Sequence, residues 1–536
     1  MDKMLLLGDE AVGQAALDAG LGGAFGYPGT PSTEIFEYLQ KNAVKGGYSA
    51  IWSGNEKVAF EEALGMSYMG KRAIVTMKHV GLNVAADPFV CSAVTGAHGG
   101  LIAAVADDPG MHSSQNEQDS RYYAAFAKAP CFEPADQQQC YDMAREAFRL
   151  SEQFETPVLL RLVTRMAHGR APVATAPPDE PGSLQIADDI NKWIILPAHA
   201  RALYLKALKR YRALAEYSET CAWNKIFLAP KNRTPQKGII VTGTGYGYAM
   251  QALEILGFEA DILRIGFYPL PVKLIKEFLE EKTDILLLED GYPFVEERLL
   301  GLAGSGPVIH GRLDSFIGGE TGELDPDRAT AAIASFFGVK APEAKPYSPS
   351  IPVRAPKLCP GCPHIDTYTA LNGAMKTRKP ARVFSDIGCY TLGALPPYNA
   401  IHACVEMGAS VGMAKGAAQG GLKYSVAVLG DSTFEHSGMT TLLGAVRENT
   451  PMTLIILDNA ITAMTGMQDS LANGERLKAV VEGLGVPKDH VKVIVPLPAN
   501  LEKNIGVIGS ELDYPGLSVI ISERSCIQIL GKRSAK

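Results

Sequence analysis

The chain of 536 residues contains no apolar run approaching the roughly 18 residues that cross a bilayer as a helix. Its first residues, MDKMLLLGDEAVGQAALDAG, place acidic side chains where a signal peptide would need a basic start and an apolar centre. A cytoplasmic protein without a membrane span is expected. Basic residues are in slight deficit, 51 against 58 acidic, for a formal charge of -7. No basic stripe is available for a phosphate backbone, so nucleic acid is not an expected partner. Cysteine is sparse, nine residues scattered along the chain. That is too few for a disulfide scaffold, and any that cluster are candidates for metal binding or redox chemistry. Short-period repeats and low-complexity tracts are also lacking. What is present is ordinary globular composition, 46% hydrophobic and 20% charged, with length for about three or four domains.

Over the first 180 residues, short apolar runs (GGAFGYPG, RAIVTMKHVG, GGLIAAVADD, TPVLLRLV) alternate with segments of helical period such as Glu56 to Tyr68. This is the pattern of a parallel sheet covered by helices. Residues 171–187 are rich in proline and small side chains and read as a linker, followed by a charged helical stretch from Trp193 to Asn224. From Lys237 the alternation resumes, with strands in GIIVTGTG, DILRIG and DILLLEDG and helices over Ala249 to Leu256 and Val272 to Glu281. Pro342, Pro346, Pro349, Pro352 and Pro356 then mark an extended connector. A third α/β region fills the rest.

That third region carries a strand (Ser425 to Leu429), Gly430-Asp431-Ser432, a helix (Met439 to Glu448) and a second strand (Met452 to Leu457) ending in Asp458-Asn459. In such a βαβ crossover Asp431 and Asn459 sit at the carboxyl ends of parallel strands, where open α/β sheets bind ligands. A carboxylate, an amide oxygen and a backbone carbonyl are hard ligands suited to Mg²⁺. Gly430 would let a diphosphate approach the backbone. The arrangement resembles the thiamine diphosphate motif of the transketolase and pyruvate oxidoreductase superfamily. Gly408 to Gly416 (GASVGMAKG) and Ala463 to Gly466 (AMTG, with Met464 and Thr465) agree with that motif. Thiamine chemistry also needs a carboxyl group on the aminopyrimidine ring, an acid/base role in an apolar pocket. Glu56, at the start of a small-residue helix, is the candidate. A glutamate there is also favourable for the helix dipole alone.

Gly26 to Glu34 (GYPGTPSTE), Asn55 to Ala59 (NEKVA), Met77 to Pro88 (MKHVGLNVAADP), Met111 to Asp119 (MHSSQNEQD) and Cys359 to His364 (CPGCPH) resemble the α subunit of indolepyruvate ferredoxin oxidoreductase, in that family's order. The resemblance implies an α/β fold of three doubly wound domains of thiamine-diphosphate-enzyme type. The three are a pyrimidine-binding domain (1–180), a transketolase C-terminal-like domain (237–340) and a diphosphate-binding domain with an iron–sulfur site (358–536), joined by a linker and helical insertion (181–236) and a proline-rich connector (341–357). It further implies oxidative decarboxylation of an aryl 2-oxoacid to acyl-CoA and CO₂, with coenzyme A as co-substrate and a small β/γ-type oxidoreductase subunit as partner. Thr30 would face the 2-oxoacid and the thiazolium. His79, Asn83, His112 and Arg121 lie on segments expected near the cofactor, Arg121 as a holder of the substrate carboxylate, and each also fits a structural or surface role.

The electrons need an acceptor, and iron–sulfur clusters take them singly. The family's α subunit usually ends in a ferredoxin-like module with C-x2-C-x2-C-x3-C-P runs; this sequence contains none and stops soon after Cys526. A form lacking that module is therefore expected, delivering electrons to a separate ferredoxin or iron–sulfur subunit. By resemblance, Cys359, Cys362, Cys389 and Cys526 would ligate one [4Fe-4S] cluster, with Cys404 as an alternative ligand. A structural zinc site on the same thiolates and a reducible dithiol are the competing readings. Cys91, Cys131, Cys140 and Cys221 read as buried apolar residues. Gly243-Thr-Gly245-Tyr-Gly247 lacks the dinucleotide spacing and the acidic residue that would follow. A non-oxidative thiamine-dependent 2-oxoacid decarboxylase and a non-catalytic scaffold are the remaining alternatives.

Overall fold

The computed structural model describes residues 3–230, 234–304, 306–319, 321–342 and 356–529. Most of the expected connector at 341–357 lies outside the described residues. The chain forms two compact units, Met1–Tyr347 and Ser348–Lys536. The expected borders at 180 and 236 fall within the first of them.

The first unit holds a seven-stranded sheet and a five-stranded sheet. Across the seven-stranded sheet run Phe267–Tyr268, Cys131–Phe132, Val158–Val163, Leu101–Asp107, Ala73–Lys78, Gly23–Gly26 and Ser49–Trp52, parallel except for the first pair. The central strand Leu101–Asp107 is buried along its whole length, which is why it reads as an unbroken apolar run. The five-stranded sheet is built from Val308–His310, Asp284–Leu288, Lys237–Thr242, Asp261–Ile265 and Lys225–Phe227, antiparallel only at the last pair. Its start at Lys225 lies inside the stretch expected to be linker. The charged stretch is a helix over Pro197–Ser218.

The second unit has one six-stranded, fully parallel sheet, in the order Ala403–Cys404, Ala381–Ser385, Tyr424–Gly430, Thr453–Asp458, Ser518–Glu523 and Val491–Ile494. The helix between its third and fourth strands, Met439–Glu448, has the bounds its sequence pattern implies. Cys131, Cys140 and Cys221 are buried and Cys91 is half-buried. Among the described residues no helix is long and apolar enough to cross a membrane.

Candidate functional site

In the first unit the motif residues follow the carboxyl ends of four neighbouring parallel strands. Thr30 follows Gly23–Gly26, Glu56 follows Ser49–Trp52, His79 and Asn83 follow Ala73–Lys78, and the loop to Asp119 follows Leu101–Asp107. This is the edge at which parallel α/β sheets bind ligands. Glu56 opens the helix Glu56–Tyr68, whose start is set by Asn55: its backbone is extended and its side chain accepts from the Val58 amide at 2.9 Å, an N-cap. The Glu56 side chain is buried, 6% exposed. Gly81 lies against it, and a Cβ there would come within 2.5 Å of Glu56 Oε1.

His79 is buried, with Nε2 3.2 Å from the Asn116 carbonyl and no hydrogen-bond partner for Nδ1 among the described residues. Asn83 accepts from the Tyr123 hydroxyl at 2.6 Å. Thr30 is half-buried and its carbonyl accepts from the Ser113 hydroxyl at 3.4 Å. His112 is largely exposed, 3.5 Å from Glu323.

Arg121 is fully buried among carboxylates. Its side chain has no exposed surface and is enclosed by Asp119 at 2.5 Å, Glu289 at 3.0 Å and Glu133 at 3.6 Å. Arg161 joins the same cluster through Asp107 at 2.7 Å and Glu133 at 2.5 Å. The Tyr268 hydroxyl donates to Glu133 at 2.5 Å, so the network reinforces the pairing of the edge strand Phe267–Tyr268 with Cys131–Phe132. Carboxylates on three sides hold the Arg121 charge in place, well above the ordinary guanidinium value despite burial.

In the second unit Cys389, Asp431, Asn459 and Cys526 likewise follow the carboxyl ends of neighbouring parallel strands. Asp431 is 2% exposed and accepts from the Ser432 and Ala460 amides, each at 2.8 Å. The Ala460 amide is shared with Asp458 at 3.2 Å, and Ala460 sits in the left-handed region at φ 68°. Burial first, and then the charge of Asp458, push the Asp431 carboxyl up to about 8. Asn459 accepts from the Ile461 amide at 3.0 Å, and its Nδ2 lies 3.5 Å from His364 Nε2. Among the described residues no three His, Cys, Asp or Glu side chains gather closely enough to hold a single metal ion.

Ser432 accepts from the Thr462 hydroxyl at 2.8 Å, and Thr465 donates to Gln468 at 2.8 Å. Gly408 has φ 89° and a Cβ there would lie 2.1 Å from Ser437 Oγ, so only glycine fits this turn. At Gly430 a Cβ would meet the Tyr390 ring at 2.8 Å, a packing reason for the glycine beside any ligand reason.

Cys359, Cys362, Cys389 and Cys526 line one cavity of about 290 Å³, together with His364, Asn459 and Met464. Cys404 is not among its lining residues; its thiol donates to the Asp386 carbonyl at 3.5 Å. Cys362 N–H donates to the Cys359 carbonyl at 3.0 Å, closing the turn that presents both thiols before the helix Pro363–Met375. Burial and then the neighbouring thiols push Cys389 up to about 12, and burial leads the rise of Cys362 to about 11. Gln528 Nε2 donates to Cys359 Sγ at 3.8 Å.

Two further residues organise these edges that the motifs do not single out. Asp386 is fully buried and accepts from the Tyr390 hydroxyl, from Ser410 Oγ at 2.7 Å and from the Gly408 amide at 3.2 Å, anchoring the GASVG segment. Lys78 ends a strand beside Glu56 and the Thr30 loop; a lysine inside MKHVGLN has no spacing rule that would single it out.

Residues 14–192 match the family described as pyruvate flavodoxin/ferredoxin oxidoreductase, thiamine diphosphate-binding. Residues 386–500 match the C-terminal TPP-binding domain of thiamine pyrophosphate enzymes. Indolepyruvate oxidoreductase subunit IorA of Methanothermobacter thermautotrophicus is 36% identical over 545 residues, covering 98% of this chain and 87% of the relative. The subunit of the same name from Thermococcus kodakarensis is also 36% identical, covering 98% and 86%. Among solved structures, 2-oxoglutarate:ferredoxin oxidoreductase from Magnetococcus marinus superposes with a TM-score of 0.51 at 16% identity, covering 62% of this chain and 65% of that one. That likeness speaks for the α/β fold.

Proposed function

The chain belongs to the thiamine-diphosphate-dependent 2-oxoacid:ferredoxin oxidoreductase family, in its indolepyruvate branch, and from that premise we propose that it oxidatively decarboxylates an aryl 2-oxoacid such as indolepyruvate. The balanced reaction joins the acyl group to the thiol of coenzyme A and releases CO₂, one proton and two electrons. The electrons leave through one [4Fe-4S] cluster to a separate iron–sulfur carrier. Association with a small β/γ-type subunit is part of the proposal, supported by the relatives being named as subunits.

The observation that carries the oxidative reading is the cavity ringed by four thiols. Four cysteines on one cavity form a thiolate set of the kind clusters use, and oxidative thiamine chemistry calls for a redox group there where a structural zinc ion would serve no step. A cluster there would accept electrons one at a time. Cys359, Cys362, Cys389 and Cys526 are the proposed ligands, Cys404 being occupied elsewhere.

Thiamine diphosphate, when bound, supplies the electron sink that decarboxylation requires. Glu56 fits its pyrimidine end, since the carboxyl is buried, held by a capped helix start and approached on one side by a glycine. The unpartnered His79 Nδ1 offers a further polar contact from the same edge. Asp431 and Asn459 are the proposed Mg²⁺ ligands: burial and the charge of Asp458 both raise the Asp431 carboxyl, a cost that a divalent ion would relieve. Gly408, Gly430, Ser432, Met464 and Thr465 would line the diphosphate, and Asn83 and Thr30 the reacting end. His112 is reached from solvent and is left outside this proposal.

The test is Glu56→Gln. The variant should bind thiamine diphosphate and Mg²⁺ yet lose acyl-CoA formation. Near-normal turnover would assign the proton-handling carboxylate elsewhere, and release of an aldehyde without CoA consumption by the unmodified chain would replace the oxidative reading with a simple decarboxylase.

A further inference from the structure

With Arg121 enclosed by carboxylates, the carboxyl-end edge of the seven-stranded sheet still needs a cation if it is to hold an anionic substrate. Lys78 is placed for that. It is the last residue of the strand Ala73–Lys78, one position before His79 and three before Gly81, which packs on Glu56. Its aliphatic stem runs over Gly29 of the GYPGTP turn, where a Cβ would lie 3.1 Å from Lys78 Cγ and Cδ. Its ammonium donates to the Ser113 carbonyl at 3.2 Å, and the Ser113 hydroxyl in turn reaches the Thr30 carbonyl at 3.4 Å. Lys78 therefore spans the two loops that frame Thr30.

Among the described residues Lys78 has no ion pair within 4.0 Å. Asp108 acts on it electrostatically but already accepts from the Ser113 amide at 2.8 Å, Ser114 Oγ at 2.6 Å and Thr164 Oγ1 at 2.7 Å. Burial lowers the Lys78 amine to about 8, with Asp108 and Glu56 opposing the shift. A half-buried ammonium that two carboxylates favour from a distance, with no direct ion pair among the described residues, keeps its donors available for an anionic ligand.

We infer that Lys78 is the binding residue for the carboxylate of the 2-oxoacid, acting beside Thr30 in the role first expected of Arg121. The inference rests on the reading of the chain as a thiamine-dependent 2-oxoacid oxidoreductase and names the group that recognises its substrate. A charge-assisted hydrogen bond of this type changes binding by roughly 10- to 100-fold.

The experiment compares Lys78→Met and Lys78→Arg with the unmodified protein in the assembled holoenzyme, under anaerobic conditions with a dye acceptor. Lys78→Met should raise KM for the 2-oxoacid about 10- to 100-fold, leave KM for CoA and thiamine diphosphate affinity within about two-fold, and keep the visible absorption unchanged; Lys78→Arg should recover part of the loss. An arylacetate should inhibit the unmodified enzyme more strongly than the matching arylacetamide, and Lys78→Met should abolish that difference. An unchanged 2-oxoacid KM, or a rise in the CoA KM instead, would overturn the assignment. Failure of the unmodified chain to bind thiamine diphosphate at all would overturn the underlying reading, a result distinct from either.

Discussion

Gly81 is packed directly on Glu56: a Cβ at position 81 would stand 2.5 Å from Glu56 Oε1 and 2.7 Å from Glu56 Cγ. The glycine has no positive φ to explain it, so its small size is what the site uses. The carboxylate position is thereby tied to the size of the residue at 81.

Gly81→Ala is therefore expected to displace the Glu56 carboxyl by a fraction of an ångström to an ångström. Misplacement on that scale costs about 100-fold in turnover. Steady-state kinetics should show kcat reduced by about that factor with thiamine diphosphate affinity changed only a few-fold, and unchanged kcat would mean that Glu56 is not held by this contact.

Arg121→Met should act on stability rather than on substrate recognition. Removing the guanidinium leaves Glu289 without its ion-pair partner and only Arg161 to offset Asp119 and Glu133 in the interior, a loss on the order of 3–5 kcal/mol. Denaturant unfolding should show a lowered midpoint. A normal midpoint combined with a selectively raised KM for the 2-oxoacid would return Arg121 to the substrate-binding role.

Asp9 gives a pH signature of its own. It is fully buried near the start of the helix Gly8–Asp18, and neither oxygen has a hydrogen-bond partner among the described residues. Burial first, then Glu34 and Glu10, raise its carboxyl well above the ordinary value, the nearby Ile35 amide offsetting only a little. The folded chain thus keeps a proton that the unfolded chain gives up above about pH 4, so this residue lowers stability as pH rises until the folded carboxyl itself ionises. Asp9→Asn should raise Tm at pH 8 by about 2 °C and flatten the pH dependence between pH 5 and 8. Identical pH profiles for the two proteins would show that Asp9 is ionised and paired.

Much of this was legible before any coordinates. The helix Glu56–Tyr68 begins and ends where its periodicity does, because its Asn55 cap agrees with local preference, whereas Met439–Glu448 ends where its periodicity does but continues a helical run that starts at Asp431. The placement of Asp431 and Asn459 at adjacent strand ends follows from a single βαβ crossover. Long-range pairing was not legible. Arg121 meets Asp119, Glu133, Glu289 and Tyr268, positions spread over more than 150 residues, and no spacing rule announces that enclosure. The strand Phe267–Tyr268 is two residues long and shows no period. Spacing nominated Cys359 and Cys362 together, whereas separating Cys526 from Cys404 required knowing that Cys404 points at the Asp386 carbonyl. Lys78 was hidden for the opposite reason: surface lysines are common, and only its place between two loops distinguishes it.

The central claim is that Cys359, Cys362, Cys389 and Cys526 hold a cluster that takes electrons from the thiamine site. The most direct measurement is anaerobic iron and sulfide analysis of the protein, and of its Cys389→Ser and Cys404→Ser variants, with the visible spectrum recorded before and after addition of 2-oxoacid and CoA. The account predicts iron and sulfide in equal amounts, a broad absorption that bleaches on substrate addition, loss of both in Cys389→Ser and retention in Cys404→Ser. Zinc in place of iron, an absorption that substrate does not bleach, or full cluster content in Cys389→Ser would contradict it.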